Sequence, residues 1–125
     1  MRDMRALVID DSKAMRMILG RLLKTVGFEV SEACHGRDAL EKLGDGPPVD
    51  LALVDWNMPE MNGLDFVKAV RGSGNHAAMK LMMVTTESEL ARVQAAIEAG
   101  ADEYVMKPFT PEVLKDKLVQ MGFGA

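Results

Sequence analysis

Short apolar runs and helical stripes of apolar residues alternate along the chain. Three runs, at 6–9, 51–54 and 81–84, are continuously apolar, and the second lies in a predicted central strand at 49–54. Such runs are typical of strands that are buried on both faces. The stretch 28–33 begins by alternating apolar and polar residues, which is the pattern of an edge strand with one solvent-exposed side. A short run at 103–106 completes a set of five predicted strands.

Helical periodicity fills the segments between these runs. Apolar residues there recur every three or four positions, residues that favour helix ends flank them, and 72–75 is a predicted loop. The candidate cap residues are Asp11 or Ser12, Gly27, Gly44, Asn62, Gly100 and Thr110. Strand and helix therefore alternate five times, which predicts an α/β fold with a parallel sheet, helices on both faces and right-handed crossovers.

The size and composition of the chain suit one cytoplasmic domain. It has 125 residues, enough for a single domain spanning 1–125, and 48% of them are hydrophobic, which argues against disorder. Fifteen basic and nineteen acidic side chains leave a net charge of −4, which speaks against a nucleic-acid partner. Cys34 is the only cysteine, and no apolar run is long enough for a membrane helix. We expect a cytoplasmic monomer with no signal peptide and no membrane partner.

Residues with useful chemistry follow four of the five predicted strands. Asp10 and Asp11 follow the first strand, and Asp55 follows the third. Thr85 follows the fourth strand and Lys107 the fifth. Each residue alone has an ordinary explanation as a helix cap, a strand residue or a solvent-exposed turn residue. In a parallel sheet, however, all these ends lie on the edge where ligands bind, so we take Asp55 as a candidate nucleophile.

Five motifs give the chain a resemblance to a known family. They are Val8-Ile9-Asp10-Asp11-Ser12, Val54-Asp55-Trp56-Asn57-Met58-Pro59, Met61-Asn62-Gly63, Val84-Thr85-Thr86-Glu87 and Tyr104-Val105-Met106-Lys107-Pro108-Phe109. From its first strand to its last helix the chain resembles a response-regulator receiver domain, and it is most similar to the single-domain chemotaxis regulators of the CheY type. The resemblance implies a flavodoxin-like (βα)5 three-layer sandwich, whose five-stranded parallel sheet has the order 2-1-3-4-5.

The implied strand order makes the first and third strands neighbours, which brings Asp10, Asp11 and Asp55 together. Two carboxylates about 5 Å apart repel by roughly 3 kcal/mol at an effective dielectric constant of ~20, so either one is protonated or a cation lies among them. A nucleophile has to stay ionised, and hard oxygen ligands with room for water favour Mg²⁺. The resemblance implies direct metal ligands in Asp11, Asp55 and the backbone carbonyl of Asn57. Asp10 would act through water.

The resemblance implies a phosphoacceptor that assists its own chemistry rather than an enzyme. Asp55 would accept a phosphoryl group from a phosphohistidine on a sensor histidine kinase and later lose it to water. Lys107 would supply positive charge to the phosphoryl oxygens, and the Thr85 hydroxyl would supply a hydrogen-bond donor. Asn57 and Glu87 match positions that tune dephosphorylation in the family.

A switch and an output surface also follow from the resemblance. Thr85 would move toward the phosphoryl group, and Tyr104 would turn inward to fill the space. The surface that these movements change would consist of helix 4 (89–99), strand 5 and helix 5 (111–121). The expected partners are the kinase, a flagellar motor switch component and a phosphatase. Three basic residues suit an acidic partner segment, unless they are ordinary solvated charges: Arg92, Lys115 and Lys117.

Several other interpretations stay open or are disfavoured. A flavin-binding domain of the flavodoxin kind needs a Ser/Thr/Gly-rich loop where this chain has Asp10 and Asp11. A phosphatase of the haloacid-dehalogenase type needs a second Asp two residues after the nucleophile, where this chain has Asn57. A phosphate sink, a phosphorelay intermediate and an excised receiver of a larger regulator remain open.

Three smaller expectations concern the surroundings of the site. By the resemblance, the Lys107–Pro108 peptide is cis. Trp56 is expected to be a partly exposed loop residue beside the site. His35 and His76 are expected to be solvated and without partners, so neither is assigned to a proton relay.

Overall fold

The computed structural model describes residues 4–46, 48–56, 58, 61–74, 76–86 and 91–123, and for Asp45 it describes the backbone only. The strands are β1 (Arg5–Ile9), β2 (Glu29–Ala33), β3 (Leu51–Asp55), β4 (Lys80–Thr85) and β5 (Glu103–Met106). The helices are α1 (Lys13–Val26), α2 (Gly36–Asp45), α3 (Gly63–Ser73), α4 (Val93–Ala99) and α5 (Pro111–Gln120). Strand and helix alternate throughout, which confirms the predicted α/β class.

The five strands form one parallel sheet of order β2-β1-β3-β4-β5. This order confirms the flavodoxin-like topology that the family resemblance implied. In the register, Ile9 lies beside Val54 and Thr85 lies beside Met106. The carboxyl ends of β1, β3, β4 and β5 therefore reach one edge of the sheet together.

Each central strand contributes side chains to two separate cores, one on either face of the sheet. From β3, Leu51 and Leu53 pack with residues of α1 and α5, whereas Ala52 and Val54 pack with residues of α2, α3 and α4. All four side chains are fully buried. Because neither face of β3 meets water, the strand needs apolar residues at every position, which is the continuous run seen in the sequence.

Local sequence sets most helix boundaries where they were predicted. Side-chain oxygens of Ser12, Asn62 and Thr110 each accept a hydrogen bond from the N–H three residues further on, at 3.2, 2.9 and 3.2 Å. Gly27 ends α1 with a φ of 110°, and Gly100 ends α4 with a φ of 123°. Glycine is favoured at both ends because a side chain would strain this backbone conformation.

Two helices are longer than the sequence pattern predicted. α2 continues past Gly44, and the Gly46 N–H donates to the Lys42 carbonyl at 2.9 Å. α3 continues through Gly72 and ends at Gly74, whose φ is 73°. A helical glycine costs about 1 kcal/mol relative to alanine. The burial of both helices against the sheet outweighs this preference.

His35 is not the unpartnered solvated residue that we expected. Its Nδ1 accepts a hydrogen bond from the Asp38 N–H at 3.1 Å, and His35 is the N-cap of α2. The expectation was wrong because histidine is an uncommon cap, so the sequence pattern gave no cue for this role.

The helix predicted at 89–99 is described only in its second part, as Val93–Ala99. Residues 87–90, which include Glu87, lie outside the described residues. Among the described helices, none combines the length and the apolar character that crossing a lipid bilayer requires.

Candidate functional site at the carboxyl edge of the sheet

Three acidic residues meet at the carboxyl edge of the sheet, as predicted. Asp10 directly follows β1, and Asp55 is the last residue of the neighbouring strand β3. Asp10 and Asp55 are buried, whereas Asp11 is exposed. One carboxylate oxygen from each of the three residues lies within 4.8 Å of the others. The strand order is what brings together residues that are more than forty positions apart in the chain.

The two oxygens of Asp10 differ in their surroundings. Oδ1 accepts a hydrogen bond from the Ser12 N–H at 2.9 Å. Oδ2 is buried and has no hydrogen-bond donor within the part of the chain that the structure describes. The Lys107 Nζ is 3.8 Å from this oxygen, which is within ion-pair range but too long for a hydrogen bond. A buried carboxylate oxygen in this state is suited to accept a cation.

Lys107 reaches the acidic residues from the far side of the site. Its Nζ lies 3.2 Å from Asp55 Oδ1. Its backbone N–H donates to the Thr85 carbonyl at 2.6 Å, which continues the pairing of β4 and β5 by one residue. The Lys107–Pro108 peptide is cis, so this prediction is confirmed.

The electrostatic balance of the site leaves negative charge uncompensated. Burial, together with the nearby charge of Asp10, raises the pKa of Asp55 to about 6, although Lys107 acts in the opposite direction. Burial likewise raises the pKa of Asp10 above its ordinary value. One lysine therefore does not offset three carboxylates in a partly desolvated setting.

These residues fit a hard divalent cation such as Mg²⁺. The cluster offers carboxylate oxygens, one of them buried without a donor, and Asp11 keeps it open to water. Mg²⁺ prefers oxygen ligands and retains several waters when it binds protein. Asn57 lies outside the described residues, so its carbonyl ligand stays a prediction.

Thr85 ends β4 at the same edge and is completely buried. Its hydroxyl donates to the Thr86 carbonyl at 3.3 Å. The register places Val84 beside Asp55, so Thr85 is one residue further toward the edge than the strand position that pairs with the candidate nucleophile.

Two supporting residues were given no role by the sequence: Arg16 was not singled out, and Gly63 stood only as part of the Met61-Asn62-Gly63 motif. Arg16, on α1, donates from Nη1 to the Asp10 carbonyl at 2.8 Å and pairs through Nε with Glu32 at 3.0 Å. Gly63 lies so close to the end of β3 that an added Cβ would be 2.9 Å from the Asp55 carbonyl oxygen. Both residues fix the backbone around the carboxylates, and Arg16 has no local pattern that separates it from an ordinary helix residue.

Comparisons with known proteins agree with this geometry. The family described as the response regulator receiver domain matches residues 6–119 of the chain. The chain belongs to the response-regulator receiver family. The receiver is 48% identical to the chemotaxis protein CheY1 of Helicobacter pylori over 116 residues, which is 92% of this chain and 94% of that protein.

Two further comparisons place the receiver close to chemotaxis regulators in sequence and in structure. It is 47% identical to the chemotaxis protein CheY homolog of Campylobacter jejuni, over 92% of this chain and 89% of that one. Its fold matches the solved structure of the Vibrio cholerae chemotaxis protein CheY4 with a TM-score of 0.87 and 35% identity. That match covers 95% of the receiver and 98% of the other chain.

Trp56 is buried in the receiver, contrary to our expectation of a partly exposed loop residue. Only 3% of its surface is exposed. Its backbone N–H donates to the Val84 carbonyl at 3.3 Å, and its backbone carbonyl accepts from the Gly63 N–H at 3.0 Å. The backbone of the turn after β3 is thus bonded to β4 and α3, which draws the indole into the core.

Tyr104 occupies the middle of the edge strand β5 and is half-buried. It packs against the core on the face that carries α2, α3 and α4. The Lys117 Nζ lies 4.8 Å from the centre of its ring. The switch role of Tyr104 stays a prediction.

Of the three basic residues predicted to form a basic face, one is engaged in an ion pair. Arg92 and Lys115 are exposed. The Lys117 Nζ, however, is 3.2 Å from Glu103 Oε1, so its charge is already partnered within the receiver.

Proposed function

We propose that this chain is a single receiver domain that works as a phosphorylation-dependent response regulator in chemotaxis, with Asp55 as the phosphoacceptor. The observation that carries the proposal is the placement of the Asp55 carboxylate, at the end of the central strand, beside two other carboxylates and 3.2 Å from Lys107 Nζ. The chemotaxis role is supported by relatives that are 47–48% identical and are named chemotaxis proteins.

The proposed reaction is an in-line transfer from a sensor histidine kinase. An Asp55 oxygen attacks the phosphorus of a phosphohistidine, the P–N bond breaks, and its electron pair returns to the imidazole nitrogen. The product is an acyl phosphate on Asp55. Because such a transition state spreads charge over three phosphoryl oxygens, catalysis rests on positioning and on positive charge.

Different residues of the site supply the positive charge and the hydrogen bonding that this transfer needs. Lys107 provides a compact positive charge beside the Asp55 oxygen. Thr85 provides a hydroxyl donor at the same edge. Asp10, Asp11 and Asp55 would hold Mg²⁺, which when bound neutralises part of the phosphoryl charge.

A groove beside Lys107 offers the kinase a place to dock. It runs between α1 and the segment that joins β5 to α5, has a volume of about 730 Å³, and is mainly apolar. Its lining includes Ile18, Leu22, Lys107 and Phe109. Because Lys107 lines the groove and also contacts Asp55, a phosphohistidine presented from this groove would be close to the nucleophile.

Phosphorylation would be read at the surface formed by α4, β5 and α5. Thr85 and Tyr104 would carry the change from Asp55 to this surface, where an output protein such as a flagellar motor switch component binds. Arg92 and Lys115 supply exposed positive charge there, which suits an acidic segment.

The deciding experiment is labelling with a small phosphodonor. Incubation with acetyl phosphate and Mg²⁺ should add one phosphoryl group that hydroxylamine removes, and chelation of the metal should suppress the reaction. Asp55→Asn should abolish the labelling. Asp50→Asn is a matched control, because Asp50 precedes the opposite end of the same strand and accepts a hydrogen bond from the Arg5 N–H at 2.8 Å. Full labelling of the Asp55 variant would refute the assignment.

A further inference from the structure

Glu103, Tyr104 and Lys117 are joined by an ion pair, a cation–π contact and a hydrogen bond. The Lys117 Nζ is 3.2 Å from Glu103 Oε1 and 4.8 Å from the centre of the Tyr104 ring. The same Glu103 oxygen accepts the Tyr104 N–H at 2.9 Å. One carboxylate oxygen therefore binds both the backbone of Tyr104 and the cation that lies over its ring.

The position of β5 in the sheet makes this network feasible. β5 is the edge strand of the sheet, and among the described strands β4 alone flanks it. Tyr104 packs with the core on one face of the sheet, whereas α5 covers the opposite face. The long side chain of Lys117 can therefore reach from α5, around the edge strand, to the tyrosine ring.

The ion pair with Glu103 restricts the position of the Lys117 ammonium. A lysine ammonium on a flexible stem holds a cation–π geometry weakly when it is solvated, because water competes for the charge. Here the Lys117 and Glu103 side chains are only 26% and 22% exposed, so their ion pair is partly shielded from water. The shared hydrogen bond to the Tyr104 N–H fixes the carboxylate in turn.

We propose that Glu103 and Lys117 form a latch that holds the Tyr104 ring in the position seen in the structure. The inference rests on the proposed function, in which Tyr104 turns inward when Asp55 is phosphorylated. We take the ring position in the structure as that of the unphosphorylated state, so the inward movement would take the ring away from the Lys117 ammonium, and part of the free energy of switching would be used to break the latch. Glu103 and Lys117 are positioning residues, since neither contacts the phosphoryl site.

Loss of the latch should shift the equilibrium of Tyr104 toward its inward position. A partly exposed cation–π contact contributes an amount equivalent to about a 2- to 10-fold change in an equilibrium. Lys117→Met and Glu103→Gln should each shift the Tyr104 equilibrium toward the inward position by about this factor. Lys117→Arg keeps a cation over the ring and should restore behaviour close to that of the unaltered chain.

Tyr104 can be observed directly, because it is the only tyrosine in the chain. Incorporation of 3-fluorotyrosine gives a single ¹⁹F resonance, which is followed while beryllofluoride, an acyl-phosphate mimic, is titrated in the presence of Mg²⁺. Lys117→Met and Glu103→Gln should reach half of the shift at a 2- to 10-fold lower beryllofluoride concentration. Lys115→Met is the matched control, since Lys115 is exposed on the same helix, and it should titrate like the unaltered chain.

The outcomes separate the latch from the function on which it rests. Acetyl phosphate labelling of the same samples reports Asp55 independently of Tyr104, and failure there counts against the proposed function. Normal labelling with identical ¹⁹F titrations in all variants would overturn the latch. A higher beryllofluoride requirement in Lys117→Met, with circular dichroism showing an intact fold, would overturn it as well.

Discussion

At the scale of single residues, the charged Asp55 carboxylate lies in the candidate site, and its burial lowers the free energy of unfolding. Burial and the Asp10 charge raise its pKa from the ordinary 3.8 to about 6. Between these two values the folded chain binds more protons than the unfolded chain. The free energy of unfolding should therefore fall as the pH rises from about 4 to above 6, and Asp10, whose pKa is also raised, acts in the same direction.

This linkage predicts a stabilising substitution at the proposed nucleophile. In a metal-free buffer at pH 7, Asp55→Asn should raise the free energy of unfolding by about 1–3 kcal/mol, because it removes a buried charge whose cost is about 1.4 kcal/mol per unit of pKa shift. Urea denaturation measures the difference. It should shrink toward pH 4, where the Asp55 carboxylate is largely protonated in the folded chain.

Two further measurements check the origin of the effect. Millimolar Mg²⁺ should reduce the advantage of the Asn variant, because the ion stabilises only the carboxylate form. Asp50→Asn, at the opposite end of the strand, should bring no gain in stability. A loss of stability in Asp55→Asn at pH 7 would contradict the electrostatic account of the site.

At the scale of elements, α1 and the β5–α5 connection form the groove proposed for the kinase. Ile18 lines this groove and is 52% exposed, whereas its neighbour Met17 is 45% exposed but lies outside the groove lining. The two side chains are similarly apolar and similarly exposed. They therefore form a matched pair for testing which side of α1 meets the phosphodonor.

Substitution of Ile18, but not of Met17, should slow phosphotransfer from the kinase. Ile18→Glu should reduce the rate of transfer from a phosphorylated chemotaxis histidine kinase by roughly 10-fold, because a buried contact at the centre of an interface typically contributes more than 1 kcal/mol. Met17→Glu should change it little. Rapid-quench measurement of phosphotransfer gives both rates.

Acetyl phosphate supplies the control for this experiment. It needs no docking surface, so both variants should be labelled at the rate of the unaltered chain. Equal slowing by Ile18→Glu and Met17→Glu, or slower labelling by acetyl phosphate, would argue against a docking role for the groove.

At the scale of the whole molecule, the proposed signal would travel from Asp55 to the edge strand β5. Asp55 ends the central strand β3, and Tyr104 lies on the edge strand β5. β4, which ends at Thr85, lies between them in the sheet. Coupling between two such sites is typically 1–3 kcal/mol, so phosphorylation is expected to tighten partner binding by roughly 5- to 150-fold.

This coupling can be measured with the output protein. Pull-down from cell extract, with and without beryllofluoride, should retain the partner more strongly in the activated state. Arg92→Glu should weaken the retention, because it reverses an exposed charge on the proposed surface. A partner held equally in both states, and indifferent to Arg92, would favour a phosphate sink or relay role.

Most of the secondary structure and the identity of the candidate site residues could be predicted from the sequence. Strand runs, helix stripes and caps such as Ser12, Asn62 and Thr110 are local features, and a local pattern is enough to specify them. The convergence of acidic residues followed from strand ends once the strand order was supplied. That order came from the family resemblance, because hydrophobic periodicity does not specify which strands are neighbours.

The contacts between distant segments could not be predicted from the sequence, because they depend on tertiary packing. Lys107 Nζ meets Asp55 across 52 positions, and the raised pKa of Asp55 depends on burial that no sequence window contains. Trp56 and Lys117 illustrate the same limit, since the burial of one and the pairing of the other arise from how strands and helices pack. Local propensities act over a few residues, whereas distances, burial and charge balance are set by the packing of the whole chain.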